Sequence, residues 1–166
     1  MEIELADLRP SHAARMYEFV RDPEIRDNLG IRSRPTLKKT RNWIAKALQD
    51  ESMRVYAVHV DGSYVGNIVF DERDKYLATA RYSIYLSLRG GGVGTQATVD
   101  ALKRIFTEWK LHKVWLTVHA LNKSGIRCYE KIGFRKEGTH RGEFFLKGTR
   151  VNAVYMGILR EEILDS

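Results

Sequence analysis

A single cysteine, Cys128, among 166 residues rules out an internal disulfide and any zinc site built from several thiolates. Its place beside Tyr129 predicts a plain packing role. Long hydrophobic runs are missing too, and nowhere is there an uninterrupted apolar stretch able to cross a bilayer. The opening residues, Met1-Glu-Ile-Glu-Leu-Ala-Asp, have neither the basic start nor the apolar centre of a secretory signal, so a cytoplasmic protein is expected. Repeats, low-complexity tracts and linkers are absent, which leads to the expectation of one domain over residues 1–166. Acidic residues fall short of basic ones, 21 against 28, leaving a net charge of +7. That surplus admits RNA or a ribosome as partner. Trp43, Trp109 and Trp115 fall in amphipathic or strand patterns that predict burial rather than base stacking, which makes nucleic acid the lesser reading.

What the chain does have is a dense glycine cluster. Residues 87–95 read Ser-Leu-Arg-Gly-Gly-Gly-Val-Gly-Thr, after an apolar run from Tyr82 to Leu86 and before a strongly helical one. Gly90, Gly91, Gly92 and Gly94 lack a Cβ, so their amides can approach a ligand closely and adopt positive φ. The helix that follows turns unpaired N–H groups and the positive end of its dipole to the same point, which suits a diphosphate. A P-loop would need Lys followed by Ser or Thr where this chain has Thr95 and Gln96. A dinucleotide-binding βαβ unit would need an acidic residue near the end of the next strand, and that run, Lys113 to Val118, ends at His119. What remains is Arg89-x-x-Gly92-x-Gly94.

A second segment, Asn122-Lys-Ser-Gly-Ile-Arg-Cys-Tyr129-Glu-Lys-Ile-Gly133-Phe134, has the marks of a short capped helix. Asn122 is a good N-cap, Gly133 stands where a helix would stop, and Ile126, Tyr129 and Ile132 share one face. In order and spacing the two segments resemble the acetyl-CoA signature and the Asn-x-x-Ala-x-x-x-Tyr-x-x-x-Gly-Phe motif of the GNAT superfamily of N-acetyltransferases. Gly125 departs from the Ala usual there, at a helix-propensity cost of about 1 kcal/mol. Residues 143–149, Glu-Phe-Phe-Leu-Lys-Gly-Thr, resemble the matching stretch of bacterial spermidine acetyltransferases and of the ribosomal-protein acetyltransferase branch. The likeness runs from Val55 to Leu159.

Periodicity places an opening strand at Ile3–Leu5, a helix over Pro10–Val20 with Ala13, Met16, Tyr17 and Val20 on one side, then a polar loop. A second helix is expected over Leu37–Leu48, capped by Thr36, with Leu37, Ile44, Ala47 and Leu48 buried. Strands are expected at Val55–Val60 and Tyr64–Phe70, joined by Asp61-Gly62, then at Leu77–Leu86 and Val114–Val118. Leu102, Ile105, Phe106 and Trp109 mark a core-facing helix after the glycine turn, and Glu143–Leu146 with Val151–Leu159 reads as a hairpin turning at Lys147-Gly148. The fold class is α/β (α+β): a mixed, mostly antiparallel central sheet flanked by helices, as the resemblance also implies.

The resemblance implies transfer of an acetyl group from acetyl-CoA to a primary amine, with no metal. It assigns the backbone of Ile84, Tyr85 and Leu86 to the carbonyl and pantetheine arm, and Arg89, Gly90, Gly91, Gly92, Val93, Gly94 and Thr95 to the diphosphate. It makes Tyr129 the general acid for the departing thiolate, a phenol near 10 suiting that task, and sets Asn122 on the pantetheine chain. Arg127 reaches cofactor phosphate or sits on the solvated face. Many family members carry a glutamate early in the strand before the glycine turn, where this chain reads Ala78-Thr79-Ala80-Arg81-Tyr82. The base is therefore left among Glu24, Asp71, His119 and a water chain. Between Arg26 and Lys46 stand Arg32, Arg34, Lys38, Lys39, Arg41 and Lys46 against Asp27 as the only acid, a stretch that favours an anionic amine such as a nucleotide-linked amino sugar. Polyamines, protein N-termini including ribosomal ones, and a non-catalytic acyl-CoA or RNA module are the alternatives; a homodimer is also admitted.

Overall fold

The structure, a computed structural model, describes residues 1–165. Its strands are β1 (Ile3–Asp7), β2 (Arg54–Val60), β3 (Ser63–Asp74), β4 (Thr79–Leu86), β5 (Lys113–His119), β6 (Arg135–Leu146) and β7 (Thr149–Leu159). They form one sheet in the order β1-β2-β3-β4-β5-β7-β6. Neighbours are antiparallel except β4 and β5, which run parallel and pair only between Thr79–Arg81 and Lys113–Trp115. Beyond Arg81 and Trp115 the two strands part. The expected hairpin turns are present: Asp61 and Gly62 have φ of 48° and 80°, and Lys147 and Gly148 of 48° and 79°, the double positive φ of a twist-matched two-residue turn.

The helices are α1 (Ala13–Val20), α2 (Pro23–Leu29), α3 (Leu37–Gln49), α4 (Val93–Glu108), α5 (Lys123–Ile132) and α6 (Arg160–Leu164). One face of the sheet packs on α4 and α5, where Phe70, Tyr82, Leu102, Phe106, Leu116 and Met156 are buried together. The other face, over β2 to β4, packs on α1 and α3 through Met16, Phe19, Ile44, Val69 and Tyr85. Burial alternates along β5, with Val114, Leu116 and Val118 turned to the first core. Thr117 and His119 therefore face the other side.

Several expectations shift. Pro10–His12 is a 3-10 turn, and α1 starts only at Ala13, burying Phe19 in place of Tyr17. The expected polar loop contains α2, with Asp22 accepting from the N–H of Glu24, Pro23 in the first turn and Gly30 closing it at φ 70°. Leu48 is half exposed, at 50%, because α3 buries only the narrower stripe of Thr40, Ile44 and Ala47. β6 begins at Arg135, earlier than its apolar end indicated. It lies at the sheet edge, and an edge strand tolerates the charges of residues 135–141 that hid it.

Candidate functional site

The glycine turn joins β4 to α4. Gly90, Gly91 and Gly92 have φ of 78°, 69° and 75° in succession. A Cβ at Gly90 or Gly92 would meet nothing within 4 Å, so glycine is required there by backbone conformation and not by crowding. Gly92 is the N-cap of α4, and its carbonyl accepts the N–H of Gln96 at 3.0 Å. The N–H groups of Val93, Gly94 and Thr95 thus precede the helical ladder and point outward at its positive end. The Val93 side chain is buried as an anchor, and Gly94 sits near Leu86. Arg89 is exposed and paired with Glu24 of α2.

Where β4 and β5 part, a narrow cleft of about 80 Å³ opens between them. Tyr82, Ser83 and Ile84 line it from β4, Thr117 and His119 from β5, Asn122 and Tyr129 from α5, and Asn28 and Leu29 from α2. Among the described residues, 82–86 of β4 have no strand partner on this side. Asn122 caps α5, accepting from the Gly125 N–H at 3.0 Å. A Cβ on residue 125 would stand 2.6 Å from the Asn122 amide, so the glycine that departs from the usual motif lets this cap close tightly. The Tyr129 ring lies edge-on to Tyr82 at 5.9 Å and to Phe134 at 6.0 Å, and the Tyr82 hydroxyl is itself bonded to Thr98 at 2.8 Å. Burial pushes the Tyr129 phenol up to about 12, so it holds its proton throughout the neutral range. Its neighbour Cys128 packs on the first core and touches the Thr95 hydroxyl at 3.4 Å. Arg127 is exposed on α5.

A larger cavity of about 350 Å³ adjoins the cleft and shares Leu29 and Ser83 with it. Its walls include Met16, Val20, Ile31, Trp43, Met53 and Tyr85, with Asp71 and Arg81 on the sheet side. Tyr85, whose backbone carried the expectation, turns its ring here. Its hydroxyl accepts from Asn67 at 2.7 Å, while Asn67 accepts from Tyr64 at 2.8 Å, and burial raises the phenol well above its usual value. Of the basic residues between Arg26 and Lys46, Lys39 alone among the described lining residues reaches the cavity, and its ammonium donates to the Arg34 carbonyl at 2.8 Å. Arg32, Arg34, Lys38, Arg41 and Lys46 are exposed. The basic stretch is a solvated face, which removes the physical argument for an anionic acceptor.

The base candidates separate clearly. Glu24 is held by Arg89, and both Asp71 oxygens are held by Arg81, at 2.8 and 2.7 Å. His119 lies in the cleft, where burial lowers its imidazole below the usual 6.5 against a weaker opposing pull from Asp27. Asn28, Ser83 and Thr117 were not anticipated as site residues. Asn28 was hidden because α2 was read as loop, although Asp22-Pro23 and Gly30 mark its two ends.

The Acetyltransferase (GNAT) domain family matches residues 2–135. The SPbeta prophage-derived uncharacterized N-acetyltransferase YokL of Bacillus subtilis is 32% identical over 144 residues, covering 85% of this chain and 81% of its own. The spermidine N(1)-acetyltransferase of Escherichia coli K12 is 33% identical over 121 residues, covering 72% of this chain and 65% of its own. The fold superposes on the crystal structure of spermidine N-acetyltransferase from Vibrio cholerae in complex with CoA and spermine with a TM-score of 0.92 at 22% identity, over 98% of each chain. A dodecameric structure of that enzyme matches with a TM-score of 0.86 at 23% identity, over 98% of this chain and 96% of its own.

Proposed function

Because this chain belongs to the GNAT acetyltransferase family, we propose that the cleft between β4 and β5 receives the thioester arm of acetyl-CoA and the adjoining cavity a small aliphatic primary amine, with polyamines the favoured class. The protein is an acyl-CoA-dependent N-acetyltransferase and uses acetyl-CoA as donor substrate. The observation that carries the placement is the parting of β4 from β5 directly beneath the glycine turn, with the Tyr129 ring in the gap.

In this reading the main-chain N–H groups at the start of α4 hold the diphosphate, and Arg89 exchanges Glu24 for phosphate. The unpartnered edge of residues 82–86 offers backbone groups to the pantetheine arm and the thioester carbonyl. Asn122 stays a helix cap and presents the rest of its amide to the same arm, and Arg127 serves the solvated face. Tyr129 stands beside the leaving sulfur. Burial widens the gap in acidity between the phenol, pushed up to about 12, and the sulfur, so Tyr129 gives the departing thiolate a strong hydrogen bond as it acts as its general acid. The same desolvation raises the sulfur and narrows that gap.

The cavity fits a methylene chain better than a sugar nucleotide. Met16, Val20, Ile31, Trp43 and Met53 give it apolar walls, and Asp71, the one carboxylate among its described lining residues, is already paired with Arg81. The relatives that are spermidine N(1)-acetyltransferases support the same class. The described chain works as one domain, in a homo-oligomer of the kind the dodecameric relative forms. Thiol release from acetyl-CoA is to be measured with spermidine, short diamines, amino sugars, nucleotide-linked amino sugars and N-terminal peptides. Turnover highest with spermidine or a diamine is expected; turnover confined to the sugar nucleotides or the peptides would overturn the acceptor class.

A further inference from the structure

We infer that His119 is the general base that accepts the proton of the attacking amine, and that Asn28 is a positioning residue that holds the imidazole in the tautomer able to do so. The inference rests on the acetyltransferase reading above. His119 Nε2 lies 2.9 Å from Asn28 Oδ1. An amide oxygen only accepts, so Nε2 carries the hydrogen and Nδ1 keeps its lone pair. That Nδ1 is buried and has no hydrogen-bond partner among the described residues. A buried acceptor without a partner, on a residue that lines the cleft, calls for a functional explanation.

The ring is fixed from several sides. His119 ends β5 in register with Ala153 of β7, its carbonyl accepts the Asn122 N–H at 3.0 Å, and Phe144 of β6 meets it edge-on at 6.1 Å. It shares the cleft with Ser83 of β4 and Tyr129 of α5, so the groups that serve the nitrogen and the sulfur line one space. Asp27 on α2 is the charged neighbour that favours its protonation, burial opposes it, and the net lowering keeps the ring neutral near pH 7. In the step, the amine lone pair forms the N–C bond, Nδ1 takes the nitrogen's proton, and the C–S bond breaks with its electron pair on sulfur beside the Tyr129 hydroxyl. His119 then returns the proton to water.

The test uses the intact protein, acetyl-CoA and its best amine. Rates are followed from about pH 5 to 9, alongside calorimetric titration with coenzyme A. Wild-type kcat/KM should fall with unit slope below a pKa under 6.5. His119→Asn should lower kcat by about 100-fold, abolish that acid limb and leave coenzyme affinity unchanged. Asn28→Asp, whose carboxylate favours the imidazolium, should move the limb to higher pH. A His119→Asn protein with wild-type kcat and an intact limb overturns the inference; if that variant fails to bind coenzyme A, an unmoved limb in Asn28→Asp does so. Nitrogen-15 NMR of His119 must show a bare Nδ1. An Nδ1–H tautomer overturns the base assignment even if no amine in the panel is turned over, the outcome that would instead sink the acceptor class.

Discussion

Tyr129 is held by ring edges on two sides, so removing its hydroxyl leaves the packing in place. Tyr129→Phe should therefore lower kcat by about 100-fold with acetyl-CoA affinity nearly unchanged, as measured by thiol release and by calorimetry with acetyl-CoA; an unaltered rate would remove the residue from the chemistry. Two histidines contribute to the acid side of stability. Burial, His59 and Arg9 lower His12 below 6.5, and burial lowers His119. With folded values below the unfolded one, the unfolded chain binds more protons under 6.5, so their stabilisation is complete above 6.5 and is lost as pH falls through the lowered values. Melting temperature should drop between about pH 7 and 5, and His12→Gln should flatten part of that slope. A slope unchanged in the variant would exclude His12 as its source.

The elements that carry their own chemical signal were legible. Gly90, Gly91 and Gly92 at the end of a strand, Asn122 and Gly133 bounding a helix, and Asp61-Gly62 at a hairpin each act within a few residues and stand where the sequence calls for them, whereas Gly94, expected at positive φ with its neighbours, lies inside α4. The glycine turn can be tested at this scale. Gly92→Ala places a Cβ at φ 75°, at a cost of about 1 kcal/mol. Coenzyme A affinity should fall about tenfold with that change in cradle geometry, whereas Gly138→Ala, in open space at ordinary φ, should alter neither affinity nor melting temperature. Equal behaviour of the two variants would remove the conformational requirement. α2 was missed although its caps are plain, because seven residues with only Ile25 buried show too little periodicity to stand out from a loop. The basic run was legible as charge but not as orientation. Which way Arg32 or Lys38 points depends on how α3 lies on the sheet.

At the scale of the whole molecule, the sequence called for strands before and after α4 but held nothing to say where their pairing ends. That depends on partners far apart in the chain: Arg81 meets Trp115, and the next residues do not meet. The juxtaposition of His119 with Asn28, separated by 91 positions, was hidden for the same reason. The parting of β4 from β5 makes the protein a sheet with an open zipper at its centre, whose teeth on the β4 side have nothing of the protein's own to engage. In the binding mode proposed above, a thioester arm laid into it would act as a surrogate strand, so substrate would complete the architecture as well as react. Amide deuterium exchange at residues 82–86 should be fast in the free protein and slow markedly with coenzyme A, while β2, paired on both sides, stays protected throughout. Equal protection with and without coenzyme would mean that the gap is no binding seam. On this view donor and acceptor do not enter a finished enzyme: the donor closes the tear in the sheet against which the acceptor is then pressed.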